Sequence, residues 1–258
     1  MTPLSQQQMQ DLRSSFERNG YVTLPNVVSK SRLGALTEEL RGEYNRARAK
    51  GELFSGGGTI SGHLNCFPGA QSRFVYDELE QYGVFDLVRE LLPSATRMPN
   101  IGCNLNLPNS SAQNPHADGY AATPFIIVNV APIDTDLGNG AMEATPGTHL
   151  RDYKYWQYAF SGKSTIRMCM SAGDVVVRSS MLWHRGMPNK SSAIRPMLAF
   201  TWENGGSDLA DPYTAHGGKI TLLPNRYPPS LSGRLRERAF AASPALGKGY
   251  LFVRSVVQ

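Results

Sequence analysis

The chain has 258 residues, 41% hydrophobic and 18% charged, with a formal charge of +5, values that describe a soluble globular protein long enough to bury a substantial core. Its basic residues are scattered, densest at Arg234, Arg236 and Arg238, and no aromatic-interleaved basic stripe argues for a nucleic-acid partner. The longest apolar run, residues 125–130, is broken by Asn129 and far too short to span a bilayer.

The first ten residues are polar and lack the apolar core of a secretory signal. Residues 5–18 read as a helix, with Ser5 as N-cap and Met9, Leu12 and Phe16 at helical spacing. A strand over 21–28 follows Asn19-Gly20. Residues 29–50 form a second helix, with Leu33, Leu36, Leu40 and Tyr44 on one face. Residues 52–69, with Gly56-Gly57-Gly58, have loop chemistry and suit a surface connection or a mobile lid. Residues 74–92 read as a third helix, stopped by Pro93.

Beyond it the period changes to two. Short β-like runs at 98–107, 125–130, 141–144, 165–170, 174–178, 182–187 and 196–202 are separated by turns such as Gly138-Asn139-Gly140 and Ala172-Gly173. Twenty-five Gly and seventeen Pro fit that pattern. Strands spaced roughly ten residues apart predict a sandwich, barrel or jelly roll, not parallel βαβ units. The tail carries a short helix over 229–241. One domain is expected, with a helical layer over about 1–95, a β core over about 96–205 and a C-terminal extension over about 206–258. Cys66, Cys103 and Cys169 lack CxxC spacing; neither a disulfide framework nor a thiolate metal site is expected, and a reducing cytoplasm is the natural compartment.

His116-Ala117-Asp118 places an imidazole and a carboxylate on one face of an extended strand, because strand side chains alternate. His184, in Leu182-Trp183-His184-Arg185, is a second imidazole in apolar surroundings. Two His and one carboxylate on one side of a metal form the donor set of non-haem Fe(II) oxygenases; a His–Asp surface pair is the alternative. Arg195 begins the strand after His184, where antiparallel pairing would place it inside the same barrel. A buried guanidinium there needs a carboxylate, supplied by an acidic cosubstrate or a structural salt bridge. His149, after Pro146-Gly147-Thr148, reads as a loop anchor, and His63 in the glycine-rich loop as a substrate contact or an exposed loop residue.

Together these segments resemble the phytanoyl-CoA dioxygenase-like family of Fe(II)/2-oxoglutarate oxygenases. The residues that carry the resemblance are 16–25, His116-Ala117-Asp118, the stretch 138–149 with Thr148 in place of the usual Ser, Gly173-Asp174, His184, and Arg195-Pro196. HxD alone is a weak motif; the segments in this order are specific. The resemblance implies a mainly β double-stranded β-helix (jelly-roll, cupin-like) core with an N-terminal helical layer. It also implies Fe(II) on His116, Asp118 and His184, with 2-oxoglutarate and O2 as co-reactants. It gives Arg195 the role of cosubstrate carboxylate clamp and makes Asn104 a further cosubstrate contact. Asn106 competes with Asn104, since it points to the same face, and Thr123 is a weaker candidate.

The implied reaction converts 2-oxoglutarate to succinate and CO2 and oxidises a C–H bond of a small metabolite. Related halogenases lack the carboxylate ligand, so Asp118 favours hydroxylation over halogenation, with desaturation or cyclisation still open. Pocket walls are expected from His63, Asn65, Asn106 and Tyr120, and from Arg178 or Arg185; such residues suit a polar or anionic molecule. Trp183 either narrows the pocket or packs outside it. Two rivals are a zinc hydrolase or isomerase on a cupin-like barrel, which has no use for a buried clamp, and a non-catalytic binding barrel, which has no use for the intact metal donors.

Overall fold

The computed structural model describes residues 2–50, 61–223 and 231–257. The first half of the loop expected over 52–69, a surface connection or a lid, therefore lies outside the described residues, as do the first residues of the expected 229–241 helix. Helix α1 (Gln6–Asn19) starts at a capping box, in which the Ser5 hydroxyl accepts from the Gln8 amide and the Gln8 side chain accepts from the Ser5 amide. It stops at Gly20, whose left-handed backbone (φ 80°) ends the helix. A side chain at Gly20 would strike His149, so the 138–149 segment docks directly against this corner. Helix α2 (Lys30–Ala49) buries Leu33, Leu36, Leu40 and Tyr44.

The single helix expected over 74–92 is two, α3 (Arg73–Tyr82) and α4 (Val84–Leu91). Gly83 (φ 88°) caps the first with its amide and re-aims the chain, so that Phe74, Val75 and Leu79 as well as Val84, Phe85, Leu87 and Val88 all reach the core. Apolar spacing alone does not register such a break, because both halves present the same stripe.

Among the described residues there are ten strands, eight at expected runs and two, β2 and β10, outside them: β1 (Tyr21–Leu24), β2 (His63–Phe67), β3 (Asn100–Asn106), β4 (Ile126–Val130), β5 (Met142–Ala144), β6 (Ile166–Met168), β7 (Val175–Ser179), β8 (His184–Arg185), β9 (Arg195–Thr201) and β10 (Thr221–Leu222). They form a seven-stranded sheet, β1-β7-β4-β9-β3-β2-β10, and a three-stranded sheet, β6-β5-β8, with antiparallel neighbours throughout. This is the double-stranded β-helix. Several strands are shorter than their apolar runs: β1 ends before Pro25, and the 182–187 run keeps only two residues in the ladder. His63 lies on a strand, not in the glycine-rich loop.

Alternation divides the large sheet into two faces. Cys103, Leu105, Val128, Val130, Val175, Val177, Leu198 and Phe200 pack with α1–α4 in one buried cluster. Asn104, Asn129, Val176, Arg178, Arg195, Met197 and Ala199 face the small sheet across a cavity of about 370 Å³. Among the described residues the remaining α-helices are α5 (Tyr155–Ala159), α6 (Leu231–Ala242) and the unforeseen α7 (Pro244–Val257). Helix α7 docks on α5, with the Ser255 hydroxyl accepting from the Trp156 amide (3.2 Å) and Phe252 edge-on to Phe160. Among the described residues no helix is long and apolar enough to cross a membrane.

Candidate active site

His116 and His184 meet because their backbones exchange both hydrogen bonds, His116 N–H to His184 O (3.0 Å) and His184 N–H to His116 O (2.9 Å). The next contact fixes Asp118: its amide and that of Gly119 both donate to the Ser180 carbonyl. Gly119 has to be glycine here, since an added Cβ would lie 2.5 Å from Ser180 Oγ. The Pro-Gly-Thr-His turn braces the other side. Thr148 Oγ1 accepts from the Trp183 amide (2.9 Å) and donates to the Thr145 carbonyl (2.7 Å), holding the strand that carries His184.

The three side chains converge on one point. Asp118 Oδ1 is 3.6 Å from His116 Nε2 and Asp118 Oδ2 is 3.4 Å from His184 Nε2; one donor atom from each residue lies within 4.8 Å of the others. Each imidazole places Nδ1 2.8 Å from a backbone carbonyl, Asn114 for His116 and Leu182 for His184. A carbonyl only accepts, so Nδ1 carries the proton and Nε2 presents a lone pair to the shared point. Burial works to raise the Asp118 carboxyl, but His184, Arg178 and His116 outweigh it and hold the group well below the usual carboxylate range. Burial, and next Arg178, push His184 down to about 3 against the pull of Asp118. An ionised carboxylate and a neutral, oriented imidazole are the states a divalent metal needs. The residues fit such an ion.

Arg195, only 4% exposed, lines the same cavity. One Nη donates to the Gly140 carbonyl (3.1 Å), while its buried Nε has no partner and no carboxylate pairs with it among the described residues. Burial lowers it to about 10, which leaves it cationic at neutral pH. Gly140 (φ 88°) brings the loop this close, because any side chain there would strike Asn106 and the Met187 carbonyl. Asn104 and Asn65 face the cavity as a cross-strand pair, with Asn104 donating to Asn65 (3.0 Å). His63 lines it too, buried, its Nε2 3.2 Å from the Ser111 carbonyl, and burial lowers its pKa.

Two expected contacts are corrected. Asn106 is fully buried behind the cavity wall, with its amide spent on Ser110 Oγ (2.5 Å) and the Met187 carbonyl (2.8 Å). Alternation puts Asn106 on the cavity side, but the 107–110 turn closes over it. Thr123 is exposed in the turn before β4, its amide donating to the Tyr120 carbonyl, and it lines neither cavity.

A second chamber of about 620 Å³ opens from His116 outward. Tyr120, 74% exposed, and Arg185 line it, the latter tied to its cross-strand neighbour Glu143 (2.7 Å). Trp183 forms part of its wall while stacked on Tyr158 (4.1 Å, 11°). Phe240, Lys248 and Leu251 from α6 and α7 close its far side, a contribution that depends on how the tail docks and that local sequence does not announce. Arg178, expected as pocket wall, does line the inner cavity; its pairing with Asp118 has no sequence signal beyond a lone guanidinium in the valine run of β7.

The family model for phytanoyl-CoA dioxygenase matches residues 16–197. Among solved structures, the chain is similar to AviO1 from Streptomyces viridochromogenes Tue57, at 19% identity and TM-score 0.57 over 77% of this chain and 96% of that one. It is also similar to the epimerase SnoN in complex with Fe3+, alpha ketoglutarate and nogalamycin RO (18%, TM-score 0.56, 85% and 96%). A third similar structure is the non-heme alpha ketoglutarate dependent carbocyclase SnoK from nogalamycin biosynthesis (15%, TM-score 0.55, 86% and 100%). At these identities the structural likeness is one of fold.

Proposed function

Because the chain belongs to the phytanoyl-CoA dioxygenase family, we propose that it is an Fe(II)- and 2-oxoglutarate-dependent dioxygenase that hydroxylates a C–H bond of a small polar or anionic metabolite. The observation that carries this is the Arg195 guanidinium, buried without a carboxylate partner in the cavity that also holds His116, Asp118 and His184. An unpaired buried charge is costly, and a dicarboxylate reaching from the metal to Arg195 relieves that cost. A zinc hydrolase would leave it unrelieved.

The Nε2 atoms of His116 and His184 and one oxygen of Asp118 would hold the iron on one side, leaving its other positions toward the cavity. Bound there, Fe(II) supplies oxygen activation coupled to conversion of 2-oxoglutarate to succinate and CO2. Arg195 binds the far carboxylate of the cosubstrate, and its planar fork fixes that end. Asn104 and Asn65 offer amide groups along the cosubstrate's flank. Met142, Met168, Met170 and Met197 exclude water from the remaining wall.

The substrate occupies the outer chamber and approaches past His116. Arg151 and Lys248 stand on its walls with no carboxylate paired to them among the described residues, beside the rings of Tyr120, Tyr153 and Phe240. That mixture suits an anionic or polar molecule with an apolar body. Neighbouring proteins named as a carbocyclase and an epimerase mark the other outcomes such a site supports, and Tyr120 and Arg185 would orient the carbon that reacts. The test is succinate release by iron-loaded protein with candidate anionic metabolites, read with mass analysis of the product. A product heavier by one oxygen and equimolar with succinate is expected. Iron-loaded protein that neither binds 2-oxoglutarate nor releases succinate would refute the assignment.

A further inference from the structure

Arg178 on β7 is buried, 6% exposed, yet points into the inner cavity. Its Nη1 donates to Asp118 Oδ2 at 2.9 Å, and its Nε donates to Asn129 Oδ1 at 2.9 Å. Asn129 in turn donates to the Leu198 carbonyl (3.2 Å), so the chain of bonds ends on the backbone of β9. Asp118 Oδ1 receives no guanidinium. Asp118 is the one carboxylate on this cavity's wall among the described residues, and Arg178 engages one of its two oxygens.

We propose that Arg178 is a positioning residue for the metal: its guanidinium, braced by Asn129, occupies one oxygen of Asp118 so that the carboxylate presents the other to the ion. Built on the iron site proposed above, this adds a residue to it that is neither ligand nor cosubstrate clamp. A free carboxylate beside a divalent ion can swing between one-oxygen and two-oxygen ligation. Oδ2 also stands 3.4 Å from His184 Nε2, so the bond from Arg178 would weigh against Oδ2 as a second ligand atom and would leave Oδ1, which no guanidinium touches, as the favoured one. The planar fork matters, because one guanidinium must reach Asp118 and Asn129 with two different N–H groups. Arg195 is then the cation left for the cosubstrate.

Simple charge proximity makes the opposite forecast. A cation 2.9 Å from a metal ligand repels a divalent ion, so removing it would tighten metal binding if Arg178 acted through charge alone. If Arg178 positions Asp118, removing it loosens metal binding. Mn(II) binding by calorimetry to wild type, Arg178→Met and Arg178→Lys, with melting temperatures of the metal-free proteins, separates the two. Arg178→Met is expected to weaken Mn(II) binding by roughly 10–100-fold, the usual cost of losing a partner behind a ligand. Arg178→Lys, which keeps the charge but not the fork, is expected to fall between. In the metal-saturated variants 2-oxoglutarate affinity should change little, since Arg195 is untouched.

Mn(II) affinity equal to or tighter than wild type in the folded variants would overturn the proposal, and a lowered melting temperature with unchanged affinity would mark Arg178 as a brace of the barrel only. If Arg178→Met does not fold, Arg178→Lys decides alone: weaker binding supports positioning and wild-type binding overturns it. Wild-type protein that binds no Mn(II) would instead sink the metal site itself, a separate result.

Discussion

The two faces of the seven-stranded sheet use the same strands for opposite purposes. On β9, Leu198 and Phe200 are buried against the helical layer, while Arg195, Met197 and Ala199 face the cavity. On β7, Val175 and Val177 pack inward and Arg178 engages Asp118. Residues one step apart therefore belong to different problems: the helix face holds the sheet in shape, and the cavity face keeps polar groups that a stability-driven design would replace.

Substitutions on the two faces should separate accordingly. The largest effect is expected from Asp118→Ala, which removes the proposed charged ligand: turnover should vanish while the far-ultraviolet dichroism stays native. Residual turnover above the metal-free background would break the division. Leu198→Ala, on the helix face and fully buried, should cost about 2–5 kcal/mol in urea unfolding. Turnover per folded molecule should persist, and a proportionate loss of kcat would blur the two faces. Arg195→Met should cost about 2–5 kcal/mol of 2-oxoglutarate affinity, yet raise the melting temperature of the ligand-free protein because an unpaired buried cation is gone. A variant that melted lower and kept its cosubstrate affinity would show that Arg195 is structural. Smallest is Tyr120→Ala: this ring is 74% exposed, so stability should shift by no more than about 0.5 kcal/mol, with the change confined to the substrate's KM.

Alternation explains what could be read from the chain beforehand. His116 and Asp118 announce themselves because two proposed ligands lie two residues apart, and Arg195 because it opens the strand after the second imidazole. The partnership of Arg178 with Asp118 spans 60 residues of sequence, and nothing local marks it beyond an arginine among valines. Asn104 and Asn106 are indistinguishable by period; the Ser110 hydroxyl and the close approach of Gly140 decide that one faces the cavity and the other is sealed behind it. Gly83 looked like a helical residue within a continuous apolar stripe, and its positive φ made two helices of one. Helix α7 is not announced by its own sequence, because its docking depends on α5, nearly a hundred residues earlier. Apart from Gly83, tertiary contact and not local propensity decides each of these.

The most direct measurement is a crystal structure of the protein with Mn(II) and 2-oxoglutarate. An anomalous peak shared by Nε2 of His116, Nε2 of His184 and a carboxylate oxygen of Asp118, with the diacid running from that peak to the Arg195 guanidinium, is the expected result. A metal bound elsewhere, or a diacid that leaves Arg195 unpaired, would contradict it.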